Sequence, residues 1–192
     1  MTNAYRKIGM SLLFCCVILW FLIRAERIDR YKSAIPEKIK IDRTVLVGGE
    51  GTPLIFVLFP SVVRASSCGG AIFKLSQSTI DAIESEGLSF FEDATRSRRK
   101  KSEGKKPGEK EAERKEAGYS WQETPVPDTW TSNGAWPGLA CISRGNKNKL
   151  IRQITKASEL PGSYYTGTAK NSNFATLVLP KLGLVIHNRY DL

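Results

Sequence analysis

Three tryptophans fall within sixteen residues of one another, Trp121, Trp130 and Trp136, separated by prolines and glycines, with Tyr164 and Tyr165 further along. An indole combines a large rigid apolar face with one N–H donor, which suits contact with a sugar, a peptide or a protein partner. The competing role for the same rings is to plug a loop without apolar periodicity onto the core. Cys68-Gly69-Gly70 and the single histidine, His187, have the residue types of a thiolate nucleophile, its base and backbone oxyanion donors. No local signature of a cysteine-dependent hydrolase or transferase surrounds either, and His187 lies near the end of an expected strand, where a satisfied or surface role is simpler.

Residues 48–52 (GGEGT) follow an expected strand, as phosphate loops do. They lack the Walker lysine and the G-x-G-x-x-G spacing, and Pro53 leads into another strand, so they read as a turn. Cys68 and Cys141 are separated by 72 residues, which excludes a CxxC redox pair and a four-ligand zinc site built from them alone. No metal site and no cofactor motif is evident. In an oxidising compartment the two would form a disulfide; in the cytoplasm they would be small reduced side chains. Arg96, Arg98, Arg99, Lys100 and Lys101 have the charge to grip the phosphates of nucleic acid or anionic lipid. Five glutamates between residues 96 and 116 dilute that attraction and no aromatic residue interrupts the run, so a solvated insertion is the simpler reading.

These groups must be placed by the rest of the chain, and its most directive segment is residues 8–23 (IGMSLLFCCVILWFLI), sixteen residues without a charge. As a helix the segment rises about 24 Å, against a hydrocarbon core of about 30 Å. Lys7 and Arg24 at its ends can extend their stems to the head groups, and Tyr5 and Trp20 suit the interfaces. Ten of the residues are Leu, Ile, Val or Phe. They favour insertion by about 3 to 6 kcal/mol. A soluble core helix would carry a polar stripe, which is missing. A cleaved signal peptide needs small residues after the apolar run, whereas Arg24-Ala25-Glu26-Arg27 follows, so an uncleaved signal anchor is expected. Phe14 before Cys15 argues against lipoprotein processing. Counting Lys and Arg on either side places the large part of the chain in the cytoplasm. A short basic N-tail before an apolar run argues the opposite, and with the cysteines it favours an extracytoplasmic domain.

The formal net charge of the 192-residue chain is +10 and its isoelectric point about 9.6. Residues 96–116 hold ten basic and five acidic side chains, so half the excess charge sits in one segment and is weak evidence for nucleic-acid binding by the folded part. The reading is an N-terminal tail (1–7), a transmembrane anchor (8–23), a charged helical stalk (24–40) ending before Pro36, and one α+β domain (41–192) with antiparallel strands, interrupted by a charged flexible insertion (95–118). Strands are expected at 44–47, 54–59, 71–75, 88–91, 163–166, 175–179 and 182–188. One helix opens at Ser78-Thr79-Ile80-Asp81 and ends at Gly87, and a second carries Leu150, Ile151, Ile154 and Ala157 on one stripe. Residues 124–138 read as a long ordered loop. The function expected is that of a membrane-anchored, non-catalytic binding or accessory module of a membrane or cell-envelope complex, with a protein partner. The alternatives are a cytoplasm-facing protein whose basic segment binds nucleic acid or anionic lipid, and a cysteine-dependent enzyme.

Overall fold

Lys40 closes the first long helix onto the sheet. Its N–H donates to Thr79 Oγ1 at 3.0 Å, and its carbonyl accepts from the Ser76 N–H at 3.0 Å. The computed structural model describes residues 2–49, 68–94, 120–127, 139–142, 149–167 and 174–190, with side chains from Phe14 onward except at 49, 140, 141 and 190. Helix α1 (Thr2–Ala34) is continuous for 33 residues, a length of about 50 Å. It stops before Pro36, which has no N–H to extend the ladder. Ile28, Tyr31, Ile35 and Ile39 recur at helical spacing and pack on the sheet, the last two fully buried. The charged 24–40 stretch thus contributes part of the hydrophobic core along one stripe.

Six strands form one antiparallel sheet in the order β1-β2-β6-β5-β4-β3: β1 (Ile41–Gly49), β2 (Cys68–Leu75), β3 (Gln122–Glu123), β4 (Tyr164–Gly167), β5 (Phe174–Leu179) and β6 (Leu184–Tyr190). The expected mixed α+β class with antiparallel strands is the observed one. Both faces of its central strands are covered, so residues of either parity in β2, β5 and β6 are buried and these strands read as nearly continuous apolar runs. On one face Ala71, Phe73, Leu75, Val178 and Val185 meet the end of α1 and Ile83 of α2 (Gln77–Glu86). On the other, Ile72, Leu177, Leu179 and Ile186 meet α3 (Leu139–Ile142) and Ile154 of α4 (Lys149–Ser158).

Three local expectations change. Ser76, not Ser78, caps α2, its side chain accepting from the Thr79 N–H; Gly87, at φ 59°, ends the helix as expected. Residues 88–91, read as a strand, lie in the 3₁₀ turn Gly87–Phe91, which buries Phe90 and Phe91 together against α2 rather than on opposite faces of a sheet. Gly183 adopts a left-handed conformation (φ 64°) ending the turn Pro180–Leu182 rather than forming a bulge. The expected strand at 54–59 and the insertion at 95–118 lie outside the described residues.

Two strand glycines let α3 approach. A Cβ on Gly48 would stand 2.7 Å from the Ile142 Cα and carbonyl oxygen, and one on Gly70 would stand 2.6 Å from the His187 carbonyl oxygen. Gly48→Ala must therefore push α3 off the sheet. The expected cost is about 1–3 kcal/mol, read as a lower urea midpoint at an unchanged slope.

Candidate functional site

The five aromatic residues expected to form one contact surface are divided by the sheet. Tyr164 and Tyr165 are neighbours on β4, and consecutive strand side chains point to opposite faces. Tyr164 lies on the α1 side, its ring 4.8 Å from that of Phe91. Tyr165 is buried in the opposite core, where its hydroxyl donates to Gln122 Oε1. Burial raises both phenol pKa values, and for Tyr164 the Glu123 carboxylate adds to the effect. Trp121 joins Tyr164: its ring is 4.4 Å from Phe91, and its Nε1–H donates to the Ala94 carbonyl at 3.3 Å. That bond draws together residues on either side of 95–119. Trp130, Trp136, Arg96, Arg98, Arg99, Lys100 and Lys101 lie outside the described residues.

The geometry also separates Cys68 from His187. Across β2 and β6 the register pairs Cys68 with Tyr190 and Ala71 with His187. The two residues are therefore three steps apart along the sheet and on opposite faces. Cys68 is disulfide-bonded, whereas Cys15 and Cys16 carry free thiols. His187 is 4% exposed, and its Nδ1 lies 2.8 Å from Thr176 Oγ1 on the neighbouring strand. Rings of Tyr31 and Phe174 stand beside it, with centroids at 6.3 and 5.7 Å. Among the described residues no group of His, Cys, Asp and Glu is placed to hold a metal ion.

Burial, reinforced by the positive charge of Arg189, lowers the His187 pKa to about 4. Between pH 6.5 and about 4 the unfolded chain therefore binds the proton that the folded chain refuses. The stabilisation is complete above pH 6.5 and is lost as pH falls through that window, by about 3 kcal/mol at pH 4. Urea midpoints at pH 7.5 and pH 4 should show the loss, and His187→Gln should remove this part of the pH dependence while keeping a partner for Thr176.

Two features stand out on the surface. The first is the free half of α1. Phe14, Trp20 and Leu22 are 65%, 55% and 62% exposed, and Val17, Ile18, Leu19, Phe21 and Ile23 are exposed too, so apolar side chains ring the helix on every side. At the end of this ring the Arg24 guanidinium stands over the Trp20 indole at 5.4 Å. No helix among the described residues is long and apolar enough to cross a membrane. From Phe14 to Ile23 the helix rises only about 15 Å.

The second feature is not foreseen from the sequence: a cavity of about 260 Å³ between the last turn of α4, the turn after it and the Pro180–Leu182 turn. Leu179 is buried at its base, Leu160 and Leu182 stand half-exposed at its walls, and Ser163, Lys156 and Lys181 supply polar atoms. The Leu75 N–H donates to the Gly183 carbonyl at 2.9 Å, which sets this cavity at the end of the sheet where α1 terminates, remote from the exposed apolar ring. No family model, curated protein or solved structure matches the chain.

Proposed function

We propose that this chain is a single-pass membrane-anchored module, non-catalytic, that binds or supports a partner in a membrane or cell-envelope complex. The observation that carries the reading is the division of α1 into two halves. One end is packed on the sheet domain through Ile28 and Tyr31, with Ile35 and Ile39 buried just beyond it, while the other presents eight large apolar side chains to its surroundings. A contiguous apolar surface of that kind is unfavourable in water. The uncharged sequence extends back to Ile8 on a backbone that is helical from Thr2. Residues 8–23 are then the membrane-spanning part, and the Arg24–Trp20 stack marks one interface.

The oxidised state of Cys68 supports an extracytoplasmic domain, since thiols are kept reduced in the cytoplasm. Its proposed partner is Cys141, the one cysteine left when Cys15 and Cys16 are free. Cys68 and Gly70 share a face, and Ile142, next to Cys141, packs against Gly70. A bonded Cys68 leaves no nucleophile, which argues against the cysteine-enzyme alternative. Trp121 serves the core, so in this reading Trp130 and Trp136 are the aromatic residues left for partner contact. Washing native membranes with alkaline carbonate tests the anchor: the full chain should remain in the pellet, and recovery in the supernatant would overturn the proposal.

A further inference from the structure

We infer that the cavity beside α4 is a binding site for a short single-chain anionic amphiphile, an alkyl or acyl chain ending in a carboxylate or phosphate. Size comes first. A volume of about 260 Å³ has room for about eight water-sized groups, which matches a chain of about that many carbons. The walls set the chemistry of the tail. Leu160 is 51% and Leu182 36% exposed across the opening, above a fully buried Leu179. An apolar chain laid between them removes leucine surface from water, which favours binding.

The polar groups set the chemistry of the head. Lys156, in the last turn of α4, and Lys181 line the same cavity. Among the described residues neither lysine has an ion-pair partner. Lys181 Nζ lies 3.4 Å from where a Cβ on Gly162 would stand, so its charge is held over the turn that closes the cavity. The carboxylate of Glu123 accepts from the Gly162 N–H at 3.1 Å, and no ion pair joins it to either lysine. Ser163 is 4% exposed; its backbone N–H and carbonyl bond Thr124, and its hydroxyl has no partner among the described residues. A buried hydroxyl without a partner is unfavourable unless something completes it. A head group with two or more charged acceptor oxygens satisfies the lysines and the hydroxyl together, while a neutral hydroxyl head offers a single oxygen and no charge to balance the lysines. Few convergent polar groups on an apolar concavity are the usual make-up of a small-molecule site.

The experiment uses the full chain in lipid nanodiscs with ¹³C-methyl-labelled leucines, titrated with octanoate, octyl phosphate and octanol. The Leu160 and Leu182 methyl signals should shift saturably with at least one of the two anions, and which anion acts identifies the head group. Octanol should give no saturable shift in the same range. Lys156→Gln with Lys181→Gln should weaken anion binding at least tenfold. Methyl signals that ignore both anions would overturn the inference. So would an octanol affinity equal to that of the anions, or a double variant that binds as the parent does. These readouts stand apart from the carbonate test, because the cavity and the apolar ring lie at opposite ends of the chain's fold.

Discussion

Replacing Phe14 and Ile18 together with arginine should transfer the full chain from carbonate-washed membranes to the supernatant. The two positions are four apart and so share one side of α1, within the exposed apolar ring. Arginine near the centre of a spanning helix costs about 2.5–3.5 kcal/mol on the insertion scale. Two cost about 5–7 kcal/mol, against about 2.4–4.8 kcal/mol from the eight large aliphatic and phenylalanine residues that remain. Neither residue belongs to the core of the sheet domain, which begins at Ile28 on this helix. The urea midpoint of the released protein should consequently match that of the parent measured in detergent. A salt wash separates this mechanism from adsorption through the basic stretch 96–101. Screening at about 1 M salt confines charge attraction to about 3 Å, yet it leaves an inserted helix in place. If the doubly substituted chain stays with the membrane, the attachment lies elsewhere.

Much of this architecture was legible because strands buried on both faces leave an unmistakable trace. The runs around Ala71–Ile72–Phe73 and Leu177–Val178–Leu179 are apolar at successive positions, and all six residues are buried. The helix of α4 was equally clear, since its apolar residues fall on one side and Lys149, Arg152 and Lys156 on the other. What misled the reading was local composition outweighing spacing. In the 24–40 stretch the many charges suggest a solvated stalk, although Ile28, Tyr31, Ile35 and Ile39 already form a stripe. Tyr164 and Tyr165 are adjacent in sequence, yet strand alternation alone assigns them to opposite faces. Phe90 and Phe91 resemble a strand fragment, yet three and four residues after a helix-ending glycine they wind into one more turn.

The remainder was illegible for a different reason. Gly48 and Gly70 matter because α3, far along the chain, lies over them. The cavity exists because the α4 end and the Pro180–Leu182 turn meet beside β5. No window of neighbouring residues contains either relation. Tertiary contact creates both.

The second large effect concerns the bond at Cys68. Reduction of the folded protein should lower its stability by about 4 kcal/mol, the chain-entropy value for releasing a loop of the 72 residues between Cys68 and Cys141. Loss of the cross-link alone does not identify the partner, so the decisive comparison is a cycle of substitutions. Cys68→Ser and Cys141→Ser should each lower the urea midpoint by the same amount. The double variant should be no worse than either single one, and reductant should have no further effect on any of the three. Two independent buried thiols would instead give losses that add. A harmless Cys141→Ser alongside a damaging Cys68→Ser would assign the bond to another cysteine and detach α3 from this account. Gly48→Ala serves as the internal reference, because it disturbs the same α3 contact without touching sulfur. With the cross-link present, α3 remains tethered and the glycine substitution acts as overpacking alone. After reduction the helix can leave the strand pair, so the cost of Gly48→Ala should shrink, and that coupling is the signature of one sulfur bridge holding one helix to β1 and β2.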